Sequence, residues 1–171
     1  LIKRVKKQVA PDMMSFAESN YFHVQQFMVT YTEGDAQSEQ KAIDLITEVE
    51  NRLAAGETMS HLLNEYKDKA SCSDYYFDTS SLILGQTQKN YVSSFISLTI
   101  SGMRIGECSA VLNGEYDSNG TGYFCIVNRL GFDEDFIYGS SVEATTMFNY
   151  FNGEMTSQTP QYSIYSTILA A

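Results

Sequence analysis

No stretch of the chain approaches the roughly 20 consecutive apolar residues that span a bilayer, and no charged, apolar and small-residue cleavage pattern opens it. A membrane-crossing helix and a secretory leader are therefore not expected within these 171 residues. The chain starts at Leu1 rather than Met, which suggests a processed piece whose targeting signal lies elsewhere. Histidine is scarce, with only His23 and His61, so a metal site would need ligands gathered from far apart and none is expected. The cysteines, Cys72, Cys108 and Cys125, are odd in number, widely spaced and lack a CxxC pair. That excludes a disulfide framework and leaves each as a small buried hydrophobe. Basic residues are few, 11 against 21 acidic for a net charge of -10. Four of them, Lys3, Arg4, Lys6 and Lys7, stand together at the start, so the remainder is more acidic still. Such a body repels a phosphate backbone and argues against nucleic acid. The basic leader reads as a solvated helix end, with contact to an acidic membrane surface as the alternative.

What is present suffices for a full core, since 43% of the residues are hydrophobic and the length suits one domain with appended elements. The twelve Tyr and ten Phe, among many Ser and Thr, give the look of an exported or cell-surface protein. Pro11-Asp12 opens a short helix ending near Asn20, and Tyr21 to Tyr31, β-branched and aromatic, reads as a strand. Asp35 offers an N-cap for a helix with Ala42, Leu45, Ile46, Val49 and Leu53 inward, stopped at Gly56. Thr58 caps a shorter helix with Met59, Leu62, Leu63 and Tyr66 in a stripe. Lys67 to Ser81 reads as a polar, irregular stretch, and Gln88 to Leu98 as a helix with Tyr91, Val92, Phe95 and Leu98 inward. Cys108 to Leu112 and Tyr123 to Val127 form a hairpin around a tip from Asn113 to Thr121, its second arm apolar on both faces. Ser140 to Glu143 resembles a capping box for a helix through about Phe151, with Gly153 as its stop. Tyr162 to Leu169 alternates as a strand. The whole predicts an α+β fold with a mainly antiparallel sheet.

Two short strings resemble chemical motifs. Asp117 to Gly122 has the spacing of the first half of a calcium loop, but Asn128 stands where a bidentate Glu belongs, and a hairpin tip is the better reading. Gly106-Glu-Cys108-Ser-Ala110 has the outline of a nucleophile elbow, yet a strand rather than a helix follows.

Taken in order, five pieces resemble the parvulin-type peptidyl-prolyl cis-trans isomerase domain over about Tyr21 to Leu130. They are the strand Val24 to Val29, the helix ending Arg52-Leu-Ala-Ala-Gly56 with the short Met59 to Tyr66 helix, Leu84 to Phe95, Gly106 to Val111, and Gly122 to Val127. The flanks resemble extracytoplasmic foldases of the PrsA and SurA kind, in which segments before and after the isomerase domain build a chaperone module. The resemblance implies three parts: a flanking helix over 1–20, a parvulin-like domain over 21–131 and a helix-strand appendage over 132–171. It places the family's two histidine positions on Gln26 and Phe124 and the acidic or thiol position near Asp68. The apolar cradle for proline falls on Thr87 and Tyr91, with Phe95 and Thr121 as further lining.

A histidine network cannot be rebuilt from Gln and Phe. The resemblance therefore implies a foldase or chaperone that binds unfolded, proline-containing polypeptide without a cofactor and with weak or lost isomerase activity. The alternative is a noncatalytic binding or assembly module on the same fold. An extracytoplasmic location, membrane anchoring through a missing N-terminal segment, and a homodimer through exposed strand edges are the further expectations.

Overall fold

The computed structural model describes residues 13–114, 117–137 and 139–158. Residues 13–20 are helical (α1) and lead straight into β1 (Tyr21–Thr32). The Asp35 carboxylate then accepts the amides of Gln37 and Ser38 at 3.0 and 3.1 Å, satisfying donors that a helix start leaves open. From this cap runs α2 (Ala36–Ala54). Thr58 does the same for α3 (Met59–Tyr66), its hydroxyl accepting from His61. Both helices are where capping and spacing place them.

Residues 67 to 81 are not irregular throughout: β2 (Ser71–Asp78) occupies their centre. Its polar residues conceal the run Tyr75-Tyr76-Phe77, which supplies the aromatic β-propensity. The helix expected over Gln88 to Leu98 lies further on, as α4 (Ser94–Gly102). Ser93 caps it by accepting from Ile96 N, and the shifted helix buries Ile96 and Ile100, one turn apart, while Phe95 and Leu98 face solvent. The hairpin keeps its second arm as β4 (Thr121–Leu130) but has a shorter first arm, β3 (Leu112–Gly114). Cys108 contributes only an isolated bridge to Asn128. The sheet order is β2-β1-β4-β3, with the β1–β4 and β3–β4 pairs antiparallel, in an α+β arrangement.

The short α5 (Glu134–Ile137) precedes α6 (Val142–Gln158). Ser141, not Ser140, caps α6 by accepting from Ala144 at 3.1 Å. The helix also passes through Gly153, since an interior glycine costs only about 1 kcal/mol against alanine. The expected strand Tyr162 to Leu169 and the basic leader lie outside the described residues.

Two compact units result. One comprises His23–Tyr75 and Ser93–Leu130; the other gathers the described residues up to Phe22, Tyr76–Val92, and those from Gly131 onward. In the first, Phe27, Val29 and Tyr31 of β1 and Phe124 and Ile126 of β4 pack on Ala42, Ile46 and Val49 of α2 and on α3. Because side chains alternate along a strand, Val24, Gln26 and Met28 with Cys125, Val127 and Arg129 form the sheet's second face. Arg129 Nη1 donates from there to the carbonyls of Ile100 and Met103 at 3.3 and 2.6 Å, satisfying acceptors at the end of α4. In the other unit, Met13, Ala17, Tyr21, Leu84, Ile137, Met147 and Phe151 form a core, beside the clustered rings of Tyr76, Phe132 and Phe136.

Candidate functional site: two polar clusters on opposite sheet faces

Adjacent residues of β2 serve the two faces of the sheet. Tyr75 reaches the second face, where its hydroxyl donates to Gln26 Oε1 at 2.7 Å. The Gln26 Nε2 turns to Met28 Sδ at 3.6 Å, and Met28 pairs with Cys125 across the ladder. Burial pushes the Cys125 thiol up to about 12. Burial, and then the nearby Cys125, push the Tyr75 phenol well above its ordinary value. These two groups are therefore neutral at physiological pH and act as a hydrogen-bond donor and an apolar filler, not as acid or base.

Asp74 reaches the first face. Its carboxylate accepts from Gln25 Nε2 at 3.0 Å and lies 2.7 Å from His23 Nε2. Burial favours the neutral acid, but the His23 and Gln25 contacts outweigh it and hold the Asp74 carboxyl below the usual range. Gln25 Nε2 also donates to Ser60 Oγ at 2.9 Å, and Gln25 Oε1 accepts from Asn128 Nδ2 at 3.4 Å. Gln25 and Asn128 are direct partners in the β1–β4 register and are both buried. Asn128 Oδ1 is buried without a hydrogen-bond partner. The ladder forms part of the wall of a groove of about 670 Å³ between the α2–α3 turn, β4 and residues 106–109.

The residues expected to act together fall on different elements, and those of the sheet on different faces. Gln26 lies on the second face. Phe124 lies on the first, within the core, its ring stacked on Tyr31 at 4.8 Å. Asp68 is exposed and borders a separate depression of about 500 Å³ with Lys41, Lys67 and Lys69. Thr121 opens β4 opposite Thr32, its amide donating to Asp117 Oδ1 at 2.9 Å. Asp117 also accepts from Asn119 N, so the calcium-like string is a turn held by its own aspartate. Phe95 is exposed on α4. Thr87 and Tyr91 belong to the other unit, where both are exposed and Tyr91 bridges Leu82.

Sequence reasoning missed Asp74, Tyr75, Gln25, Ser60 and Asn128. The usable signal was Tyr75-Tyr76-Phe77. Read as a strand, it places Asp74 and Tyr75 on opposite faces; no local pattern marks the cross-strand pairing of Gln25 with Asn128.

No family model and no curated protein matches the chain. Among solved structures, the crystal structure of the foldase protein PrsA from Lactococcus lactis is similar, at 16% sequence identity and a TM-score of 0.32. The match covers 93% of this chain and 54% of that one, so this chain spans about half the length of the structure it matches.

Proposed function

We propose that the chain is a foldase- or chaperone-type module that binds extended, proline-containing segments of unfolded polypeptide with little or no isomerase catalysis. The polypeptide-binding half of this reading rests on the parvulin-like pieces between Tyr21 and Leu130, with an extracytoplasmic setting following from the same resemblance. Rotation about an X-Pro bond meets a barrier of about 20 kcal/mol, and a catalyst must bind the twisted amide better than the planar one. The observation that carries the loss of catalysis is the state of Gln26. Its oxygen is filled by Tyr75 and its nitrogen is turned to Met28, which leaves little to offer a rotating amide.

The test is NMR exchange spectroscopy on a panel of X-Pro peptides with the full chain. Peptide-induced shifts without faster cis-trans exchange are expected. Faster exchange that disappears in Tyr91→Ala would restore an enzymatic reading, and no shifts with any peptide would remove the module reading altogether. A second reading, an assembly module for one fixed partner, draws on Phe124, whose ring fills the core instead of lining a pocket. One partner bound tightly, with the peptide panel ignored, would favour it.

A further inference from the structure

The direction of the amide ladder is set by Asp74. An ionised carboxylate only accepts, so the Gln25 group facing Asp74 Oδ2 is its NH2. Gln25 Oε1 therefore points across the ladder, and Asn128 must answer with its own NH2. That leaves an oxygen, Asn128 Oδ1, as the buried atom without a partner. Leaving such an acceptor unmatched is costly. Ser60 Oγ, on the same groove, accepts from Gln25 Nε2 and keeps its own proton to give.

The groove wall thus holds one unmatched acceptor, closed to solvent in the free chain, and one donor, together the complement of a peptide unit's N–H and C=O. Leu53, Met59, Ile126 and Leu130 supply apolar wall. At the rim, Glu57 is paired with Arg52, whereas Glu50 has no ion pair among the described residues. A volume of about 670 Å³ lies within the usual range for a ligand cleft.

We infer that this groove is a binding site for an extended segment of another polypeptide, held by a main-chain amide between Asn128 Oδ1 and Ser60 Oγ and favoured when it carries basic residues. The inference rests on the polypeptide-binding reading and gives it a location, on the face of the sheet away from Gln26. Main-chain recognition makes the site tolerant of sequence, and the rim carboxylate together with a chain charge of -10 selects against acidic segments.

The experiment is a 15N NMR titration of the full chain with two unstructured proline-free peptides, one Lys-rich and one Glu-rich. The Lys-rich peptide is expected to shift the Asn128 side-chain amide and Ser60, and the Glu-rich peptide to leave them unmoved. Asn128→Leu, near in shape but without the acceptor, is expected to weaken binding roughly tenfold while remaining folded. Glu50→Lys, at an exposed position, is expected to weaken it a few-fold at low salt, with the difference vanishing at high salt. Unchanged affinity in both variants, or shifts confined to Gln26, Tyr75 and Cys125, would overturn the groove as the site and leave peptide binding intact. Failure of every peptide, with and without proline, to bind would remove both proposals together.

Discussion

The ring of Tyr31 lies over Gly122, its partner across the β1–β4 ladder; a Cβ on Gly122 would come within 2.6 Å of Tyr31 Cζ and 2.8 Å of its hydroxyl oxygen. The same ring stacks on Phe124 and donates to Asn113 Oδ1 at 3.3 Å. Gly122→Ala must therefore push the ring off both partners. Overpacking of this kind costs about 1–3 kcal/mol, which urea unfolding would register. In a Tyr31→Leu background the same substitution is expected to cost less; an equal cost in both backgrounds would place the strain in the backbone and not in the ring.

Tyr75 and Gln26 form a pair whose value can be isolated. Tyr75→Phe leaves Gln26 Oε1 buried without its donor, at a cost of about 1–3 kcal/mol. Gln26→Met removes the oxygen that accepts the 2.7 Å bond from the Tyr75 hydroxyl. Because replacing both partners removes the unmet polar group, the double variant is expected to be more stable than the sum of the single changes implies. Strict additivity in the unfolding free energies would mean that the hydroxyl and amide do not act on each other.

Asp74 ties stability to acid pH. Its carboxyl is held below the ordinary value in the folded chain despite burial, through His23 and Gln25. A depressed folded value stabilises the fold above the unfolded value, near pH 4, and that stabilisation is lost as pH falls through the folded value. Unfolding free energies of the unaltered chain and of Asp74→Asn, compared from pH 7 down to pH 2.5, are expected to stay apart until about pH 4 and converge below it. A gap that is constant over the whole range would show that the carboxylate's charge contributes nothing.

The helices α2 and α3 were legible because Asp35 and Thr58 are local signals, with cap and apolar spacing written within a few residues. The strand β4 was legible because Phe124, Cys125, Ile126 and Val127 are apolar on both faces. The strand β2 was not, since Ser71, Ser73, Asp74 and Asp78 give it a polar composition that its cross-strand hydrogen bonds offset. The candidate clusters were largely illegible for a related reason. They are made by pairing across strands, Gln25 with Asn128 and Gln26 with Tyr75, and by which face each residue takes. A one-residue difference in register exchanges the faces. Phe124 shows the consequence: the strand carrying it could be read from sequence, whereas its position in the core required the register against Val29.

The cysteines report on both faces at once. Burial pushes all three thiols upward, Cys125 to about 12, and alkylation requires both thiolate and access. Cys108 is exposed, Cys72 half-buried and Cys125 buried. Iodoacetamide at pH 8, followed by mass spectrometry, is thus expected to modify Cys108 first, Cys72 more slowly, and Cys125 only as fast as the chain opens. Because Cys108 bridges Asn128 and lines the first-face groove, a bound Lys-rich peptide should slow its modification and leave the rate at Cys72 unchanged. Protection of Cys125 with no protection of Cys108 would instead put the peptide away from the groove, since a ligand bound anywhere on the folded chain slows the opening that exposes Cys125. Rapid labelling of Cys125 in the free chain would show that this second face opens to solvent without unfolding, and would give the Gln26 side a route to ligand that its closed packing denies it.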